Sequence, residues 1–345
     1  MREIKFGIFD HVERTSGNES LHQLFQERLA LVEEAERAGI WGYHVAEHHF
    51  TPLSMAPSQN LLLAAMAVRT AKIRLGPLVY LLPFYHPIRL IEEICTLDHL
   101  CGGRLEVGVG RGISPFELAL FGIPILEGRA RFQEALEVVL KGLRSPRLLH
   151  HGRFYTMENV PMELRPLQTP NPGFWYGANS EESGTFAAQH GMNVVFIGQT
   201  ENIGRLAGLY REARARGVDE RQNANPHIPP KVGIQRHFFV ADSDREARSI
   251  GEAAWRTYYN NTEKLWSDNG VKWIAHTDDL EVAVKRGIAI VGSPASVIDQ
   301  LASHIETTDP DYVILSFAWG GLTALDTRRS FDLFASKVMP QFTRR

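Results

Sequence analysis

Ile73-Arg74-Leu75-Gly76-Pro77-Leu78-Val79-Tyr80-Leu81-Leu82, then Pro87 to Leu100, then Leu105-Glu106-Val107-Gly108-Val109 succeed one another with short turns between them. The outer two, apart from Arg74 and Glu106, are apolar runs of strand length, and the middle one reads as a helix. Strands that are apolar throughout are buried on both faces, the pattern of a parallel sheet with helices packed outside it. The same alternation extends in both directions. Upstream, Ile4 to Phe9 reads as a strand. Leu21, Leu24, Phe25, Leu31, Val32 and Ala35 then form one apolar stripe of a helix that Gly39 stops, and Gly42 to Ala46 is a strand before a helix over Ser58 to Ala71. Downstream come a helix over Arg129 to Leu143, strands over Gly173 to Gly177, Asn193 to Ile197, Lys231 to Val240 and Asp311 to Phe317, and helices over Glu181 to His190, Glu201 to Arg216, Ser243 to Tyr259 and Ser330 to Val338. About eight β-then-α units predict one α/β domain over residues 1–345, a (β/α)8 TIM barrel with insertions at its C-terminal face. Residues 145–172 and 260–292 break the rhythm and are read as those insertions. An open doubly wound sheet would carry a dinucleotide fingerprint after its first strand, and none is there.

Composition narrows the function classes. The chain has 345 residues, 44% hydrophobic and 22% charged, with a mean hydropathy of -0.19, as expected of a soluble globular enzyme. Its 37 basic against 40 acidic residues, without a basic block, leave no electrostatic footprint for nucleic acid. No apolar run approaches a membrane span, and the start of the chain leads into a strand instead of a signal peptide, so a cytoplasmic location is expected. The two cysteines, Cys95 and Cys101, fall in one helical stretch and form no metal-binding spacing.

Three segments carry candidate chemistry. His44-Val45-Ala46-Glu47-His48-His49 contains H-x-x-E-H, a zinc-peptidase spacing that works only on a helix. Here it starts in a strand, so no metal site is expected. The end of that strand instead places Glu47, His48 and His49 where an α/β barrel holds its active site, and a histidine there suits proton transfer; a surface loop histidine is the competing reading. Gly108-Val109-Gly110-Arg111-Gly112 is not G-x-G-x-x-G, because position 113 is Ile. It offers either close backbone approach beside a guanidinium suited to phosphate, or simply a Gly-rich turn. Asn179-Ser180-Glu181-Glu182-Ser183 opens a helix, and its hydroxyls and amides could hold a phosphate or serve only as an N-cap.

Several stretches, in this order and spacing, resemble the bacterial luciferase-like flavin monooxygenases: Ala46-Glu47-His48-His49-Phe50-Thr51, Ile73-Arg74-Leu75-Gly76, Leu82-Pro83-Phe84-Tyr85-His86-Pro87, Leu97-Asp98-His99-Leu100-Cys101-Gly102-Gly103-Arg104 and Val107 to Gly112. Ala187-Ala188-Gln189-His190-Gly191, Val291-Gly292-Ser293-Pro294 and Phe334 to Pro340 extend the likeness over nearly the whole chain. The resemblance implies a (β/α)8 barrel that binds reduced FMN at the C-terminal ends of its strands. It matches His48 to a catalytic base, and Arg111, Ser180 and Ser183, beside Asn179, to ligands of the FMN phosphate. It matches Leu78-Val79 to a peptide, often cis, that packs beside the flavin ring. Gly110 stands where luciferase has a reactive cysteine, which argues against light emission and an aldehyde substrate.

The expected function is therefore an FMN-dependent monooxygenase. Reduced flavin and oxygen would give a C4a-peroxyflavin that oxidises a small organic substrate. A deazaflavin-dependent hydride-transfer enzyme and a non-catalytic flavin-binding protein are the alternatives. Because the only Gly-rich loop is committed to FMN, a separate NAD(P)H:flavin reductase is expected as partner. Trp255, Tyr258, Tyr259, Trp266 and Trp273 cluster as a lid would require, or as ordinary packing. The run Leu61 to Val68, apolar on every side, is read as a helix between the barrel and a second subunit, hence a homodimer.

Overall fold

The apolar runs become the staves of a parallel barrel in the computed structural model, which describes residues 3–15, 20–218, 223–272 and 277–343. The strands are β1 (Lys5–Asp10), β2 (Gly42–Val45), β3 (Arg74–Pro77), β4 (Tyr80–Leu81), β5 (Glu106–Gly110), a hairpin of β6 (Arg147–His151) and β7 (Thr156–Pro161), then β8 (Gly173–Ala178), β9 (Asn193–Phe196), β10 (Val232–Val240), β11 (Ala289–Gly292) and β12 (Tyr312–Ser316). Neighbours run β3-β2-β1-β12-β10-β9-β8-β5-β4. The expected strand over Ile73–Leu82 is thus two strands, β3 and β4, interrupted at Leu78-Val79, where the peptide bond is cis. These two halves of one segment end the order on either side, and a bridge from Leu75 of β3 to Leu105, directly before β5, closes the ring.

Helices cover the ring: α1 (Leu21–Ala38), α2 (Gln59–Ala67), α3 (Pro87–Leu100), α4 (Pro115–Leu120), α5 (Gly128–Arg144), α6 (Glu181–Gln189), α7 (Thr200–Ala215), α8 (Asp244–Asp268), α9 (Leu280–Lys285), α10 (Pro294–Thr308) and α11 (Ala324–Leu333). α1 shows how local chemistry sets the ends. Ser20 caps its start by accepting the Gln23 N–H, and Gly39 ends it in the left-handed conformation, φ 83°, donating to the last carbonyls. Side chains such as Leu31, Leu63, Ile91, Val139, Ile203 and Leu301 fill the layer between barrel and helices. A second cluster inside the barrel comprises Phe9, Ala46, Leu78, Trp175, Val195, Tyr312 and Ile314.

The principal departure from the sequence reading lies between β10 and α10. The helix expected at Ser243–Tyr259 as an outer barrel helix runs on to Asp268 and lies over the C-terminal face; α10, which the sequence reading does not include, packs Val297 and Leu301 into the main core instead. α8 belongs to a third apolar cluster, with Leu53, Phe239, Trp255, Tyr258, Trp319 and Leu322. Residues 260–292 accordingly hold the end of α8, all of α9 and an added strand, β11, paired with the last four residues of β10. Trp266 is on α8; Trp273 lies outside the described residues. The other irregular stretch, 145–172, is the β6-β7 hairpin. It climbs along α5 until the backbone amides of Phe154 and Tyr155 meet Glu134 and Arg153 meets Glu127. The final helix also starts earlier than Ser330, at Ala324, and continues as a π turn over Phe334–Val338. Cys95 and Cys101 are both free and buried.

Candidate active site

The C-terminal ends of β1 and β2 turn histidines into the barrel mouth. After β1, the Asp10 carboxylate accepts the Val12 N–H at 2.7 Å, and Val12 takes a left-handed backbone, φ 56°, costly for a β-branched residue. Tyr43 Oη at 2.5 Å and the Arg28 guanidinium at 3.0 Å hold the same carboxylate. His11, between Asp10 and Val12, lies with its ring 5.6 Å from that of His48. After β2, Phe50 repeats the device with φ 60°, so both mouth histidines sit in loops with imposed geometry. His11 in turn stacks on His237 of β10 at 6.4 Å, and His237 packs against Tyr258 of α8 at 4.3 Å.

The adjacent histidines 48 and 49 have separate surroundings. His49 Nε2 is 2.9 Å from Glu47 Oε1, and its ring is packed edge-on by Phe84 and Phe121. The second oxygen of Glu47 accepts Leu81 N–H and Tyr85 Oη–H. Burial raises the Glu47 pKa above the ordinary carboxylate value although all three partners pull it down. His49 is thus a structural tie between the β2 and β4 ends. His48 is more open, 26% exposed, with Nδ1 3.7 Å from buried Glu117 of α4. His44, the first residue of the H-x-x-E-H spacing, is inside the barrel with Nε2 3.0 Å from Tyr312 Oη, and burial lowers its pKa to about 3. It shares no helix with His48.

The peptide Leu78-Val79 forms one wall of the mouth. Leu78 N–H donates to Val45 O, and the Val79 carbonyl accepts from Gln59 Nε2 at 3.0 Å. A Cβ at Gly110 would fall 2.5 Å from Val79 Cγ2. Cysteine therefore has no room at 110 unless Val79 moves.

Arg111 comes directly after β5, and Asn179, Ser180 and Ser183 come after β8. Because Val109 pairs with Tyr176, continuing the register sets Arg111 at the level of Ala178, directly before Asn179. Arg111 is exposed and makes no ion pair among the described residues; its charge acts on the Tyr176 hydroxyl. Ser180 caps α6 by accepting the Ser183 N–H, while Ser183 Oγ accepts the Asn179 and Ser180 N–H groups. The acidic residues beside this turn are matched by cations, Glu182 by Arg129 and Glu181 by Arg205. The two hydroxyls hold one another and the Ser180 carbonyl; with the Arg111 guanidinium and the helix start they make up a donor set that fits a phosphate.

α8 roofs this mouth. Asn261 donates to Glu13 Oε1 at 2.8 Å and to Arg14 O, Thr51 Oγ1 donates to Asn261 O, and Gly320 N–H donates to Glu13 Oε2. Trp266 meets Phe116 of α4 edge-on at 5.3 Å. Glu13, fully buried at this junction, has its pKa raised to about 7 by desolvation, against the pull of its hydrogen bonds and Arg28.

The structure therefore gathers His48, Leu78, Val79 and Gly110 with Arg111, Asn179, Ser180 and Ser183 along one barrel face. It adds His11, Glu13, Glu117 and His237, which the sequence reading passes over. Glu117 has a visible signal: Ser114-Pro115-Phe116-Glu117 is the S-x-x-E start of a helix with Pro at its first position.

The fold is shared with known proteins. The profile of the luciferase-like monooxygenase family matches residues 4–309. The chain belongs to that family, and it is an oxidoreductase. Among its relatives, this luciferase-like chain is 36% identical to the uncharacterized protein y4wF of Sinorhizobium fredii, over 93% of its own length and 92% of the relative's. It is 29% identical to the oxygenase component of the flavin-dependent trigonelline monooxygenase of Acinetobacter baylyi, covering 99% and 96%. The crystal structure of the monooxygenase RslO1 from Streptomyces bottropensis superposes with a TM-score of 0.85 at 27% identity, covering 99% and 100%. Among the described residues no helix of this luciferase-like chain is long and apolar enough to cross a membrane, and no group of three or more His, Cys, Asp or Glu is placed to hold a metal.

Proposed function

We propose that this chain is the oxygenase of a two-component FMN-dependent monooxygenase, which takes reduced FMN from a separate NAD(P)H:flavin reductase and inserts one oxygen atom from O2 into a small organic substrate. The observation that carries this reading is the phosphate-fitting set, Arg111 with Ser180 and Ser183, on the same barrel face as a part-exposed histidine, His48. When bound, reduced FMN supplies the electrons that activate oxygen. The chain does the rest. Arg111 and the α6 start hold the phosphate, with Asn179 beside them, and Leu78, Val79 and Gly110 shape the wall for the ring. His48 Nε2 moves a proton, and the roof of α8 keeps water out. A relative named as an oxygenase component supports the two-component arrangement.

The test supplies the purified chain with FMN, NADH or NADPH, and oxygen, with and without a flavin reductase, over a panel of small aldehydes, ketones, terpenes, sulfur compounds and N-heterocycles. Product should form only with the reductase. Nicotinamide oxidation at about one per second or faster without it would refute the two-component reading, and a bound-cofactor spectrum of the deazaflavin type would refute FMN.

A homodimer is part of this proposal. α2 buries Leu62, Leu63 and Met66 against the barrel, whereas Leu61 is 77% and Val68 73% exposed. Light scattering at micromolar concentration should give twice the chain mass, and a monomeric mass would exclude the dimer.

A further inference from the structure

We propose that Glu117 is the positioning residue of His48: it keeps the proton of the neutral imidazole on Nδ1, so that Nε2 presents its lone pair to the barrel mouth. The inference rests on the reading of His48 as the proton-transfer group and assigns the partner that makes it a base.

Glu117 occupies the third position of α4, where the Ser114 cap and Pro115 fix the start of the helix. A glutamate here commonly reaches back to its own cap. This one does not. Its Oε1 accepts the His49 N–H at 2.8 Å and lies 3.7 Å from His48 Nδ1, an electrostatic contact longer than a hydrogen bond. The carboxylate is therefore directed at two consecutive residues of the β2 loop, one through its backbone and the other through its ring. Burial opposes its ionisation, but the His48 ring and the His49 amide outweigh that and hold its pKa below the ordinary carboxylate value. An anion facing Nδ1 favours a proton there, and so determines which nitrogen is left basic. When Nε2 takes up a proton, the imidazolium charge forms beside a carboxylate already in place.

The two acids that contact the histidine pair divide the work. Glu47 is committed to His49, Leu81 and Tyr85, so it cannot orient His48. Holding the His49 amide requires only an oxygen, which glutamine would also supply. A negative charge is required only if the imidazole is to carry a positive one.

The experiment needs no flavin for its first readout. With 15N-labelled histidine, the imidazole shifts of His48 in the intact protein should report Nδ1–H. In Glu117→Ala the signal should move towards the Nε2–H form. In Glu117→Gln, which keeps the His49 amide bonded, kcat should fall about tenfold to a hundredfold while KM and FMN affinity change less than about threefold. An unchanged tautomer in Glu117→Ala, or wild-type kcat in Glu117→Gln, would overturn the proposal. If His48→Ala leaves turnover intact, the base reading fails, whereas the tautomer shift still decides whether Glu117 orients the ring.

Discussion

The two mouths of the barrel are built from similar residue types and put to opposite use. At the N-terminal end, Trp41 is surrounded by Lys5 and Lys231 ammonium groups at 5.1 Å and the Arg74 guanidinium at 5.7 Å. Beneath them Glu106 accepts from Arg74 and, at 2.6 Å, from Trp175 Nε1, while Tyr312 fills the space above Gly7. A shallow cavity of about 220 Å3 opens outside this plug; it is remote from His48 and Arg111. At the C-terminal end the acids Glu13, Glu47 and Glu117 are buried, but Arg111 is exposed, His48 is 26% exposed, and the glycines of β5 keep the wall low. The Arg74–Glu106 pair and the cations around Trp41 close the barrel at the first end, whereas Arg111 at the second makes no ion pair among the described residues.

Four substitutions probe that contrast. His48→Ala should produce the largest effect, a loss of turnover of about a hundred- to ten-thousandfold with FMN affinity kept within a few-fold; unchanged turnover would move the base elsewhere. Glu106→Ala, at the opposite mouth, should lower unfolding stability by about 3 kcal/mol, because the Arg74 charge and the Trp175 N–H lose a shared acceptor. Denaturant titration reads this, and wild-type stability would show that the plug is not held by its ion pair. Arg111→Ala should weaken FMN binding about ten- to a hundredfold and riboflavin binding far less, since only FMN carries the phosphate. Equal losses measured by fluorescence quenching would remove Arg111 from the phosphate site.

The smallest effect concerns the roof. Burial holds the Glu13 carboxyl at a folded-state pKa of about 7, against an ordinary value of 4.5. A raised pKa means that the protonated acid is favoured in the folded state, so its stabilising contribution is complete below about 4.5 and is lost as pH rises through about 7. Melting temperatures should accordingly fall in wild type relative to Glu13→Gln between those two values and run parallel above them. A constant difference from pH 4 to 8 would show that Glu13 does not titrate in this window.

Much of this architecture was legible because parallel strands buried on both faces must be short apolar runs, and helices between them must carry a stripe. β2, α3, β5 and α6 fall within a residue or so of where their composition puts them. The errors have physical causes. Ile73–Leu82 reads as one run because apolar residues continue on both sides of Gly76-Pro77, the turn signal directly after which the strand breaks. α8 is amphipathic like a barrel helix, and partners distant in sequence turn it across the mouth: Glu13 and Thr51 bond to Asn261, Gly321 N–H donates to Ala254 O, and Leu53, Phe239 and Trp319 pack with Trp255 and Tyr258. Ala289–Gly292 is no shorter than β2, but the helix before it, α9, is only six residues long and shows no stripe to mark a βα rhythm.

For the site, sequence alone set the residue chemistry at strand ends: a histidine pair after β2, a guanidinium in a Gly-rich turn after β5, and hydroxyls at a helix start after β8. Those are local properties, fixed by the few residues at the close of each apolar run. Which histidine is tied and which is available was decided only in three dimensions, because Glu47 and Glu117 reach His49 and His48 from different elements. The same holds for His11 and His237. Each is an ordinary residue in its own segment, and only closure of the ring brings β1 and β10 to the same mouth.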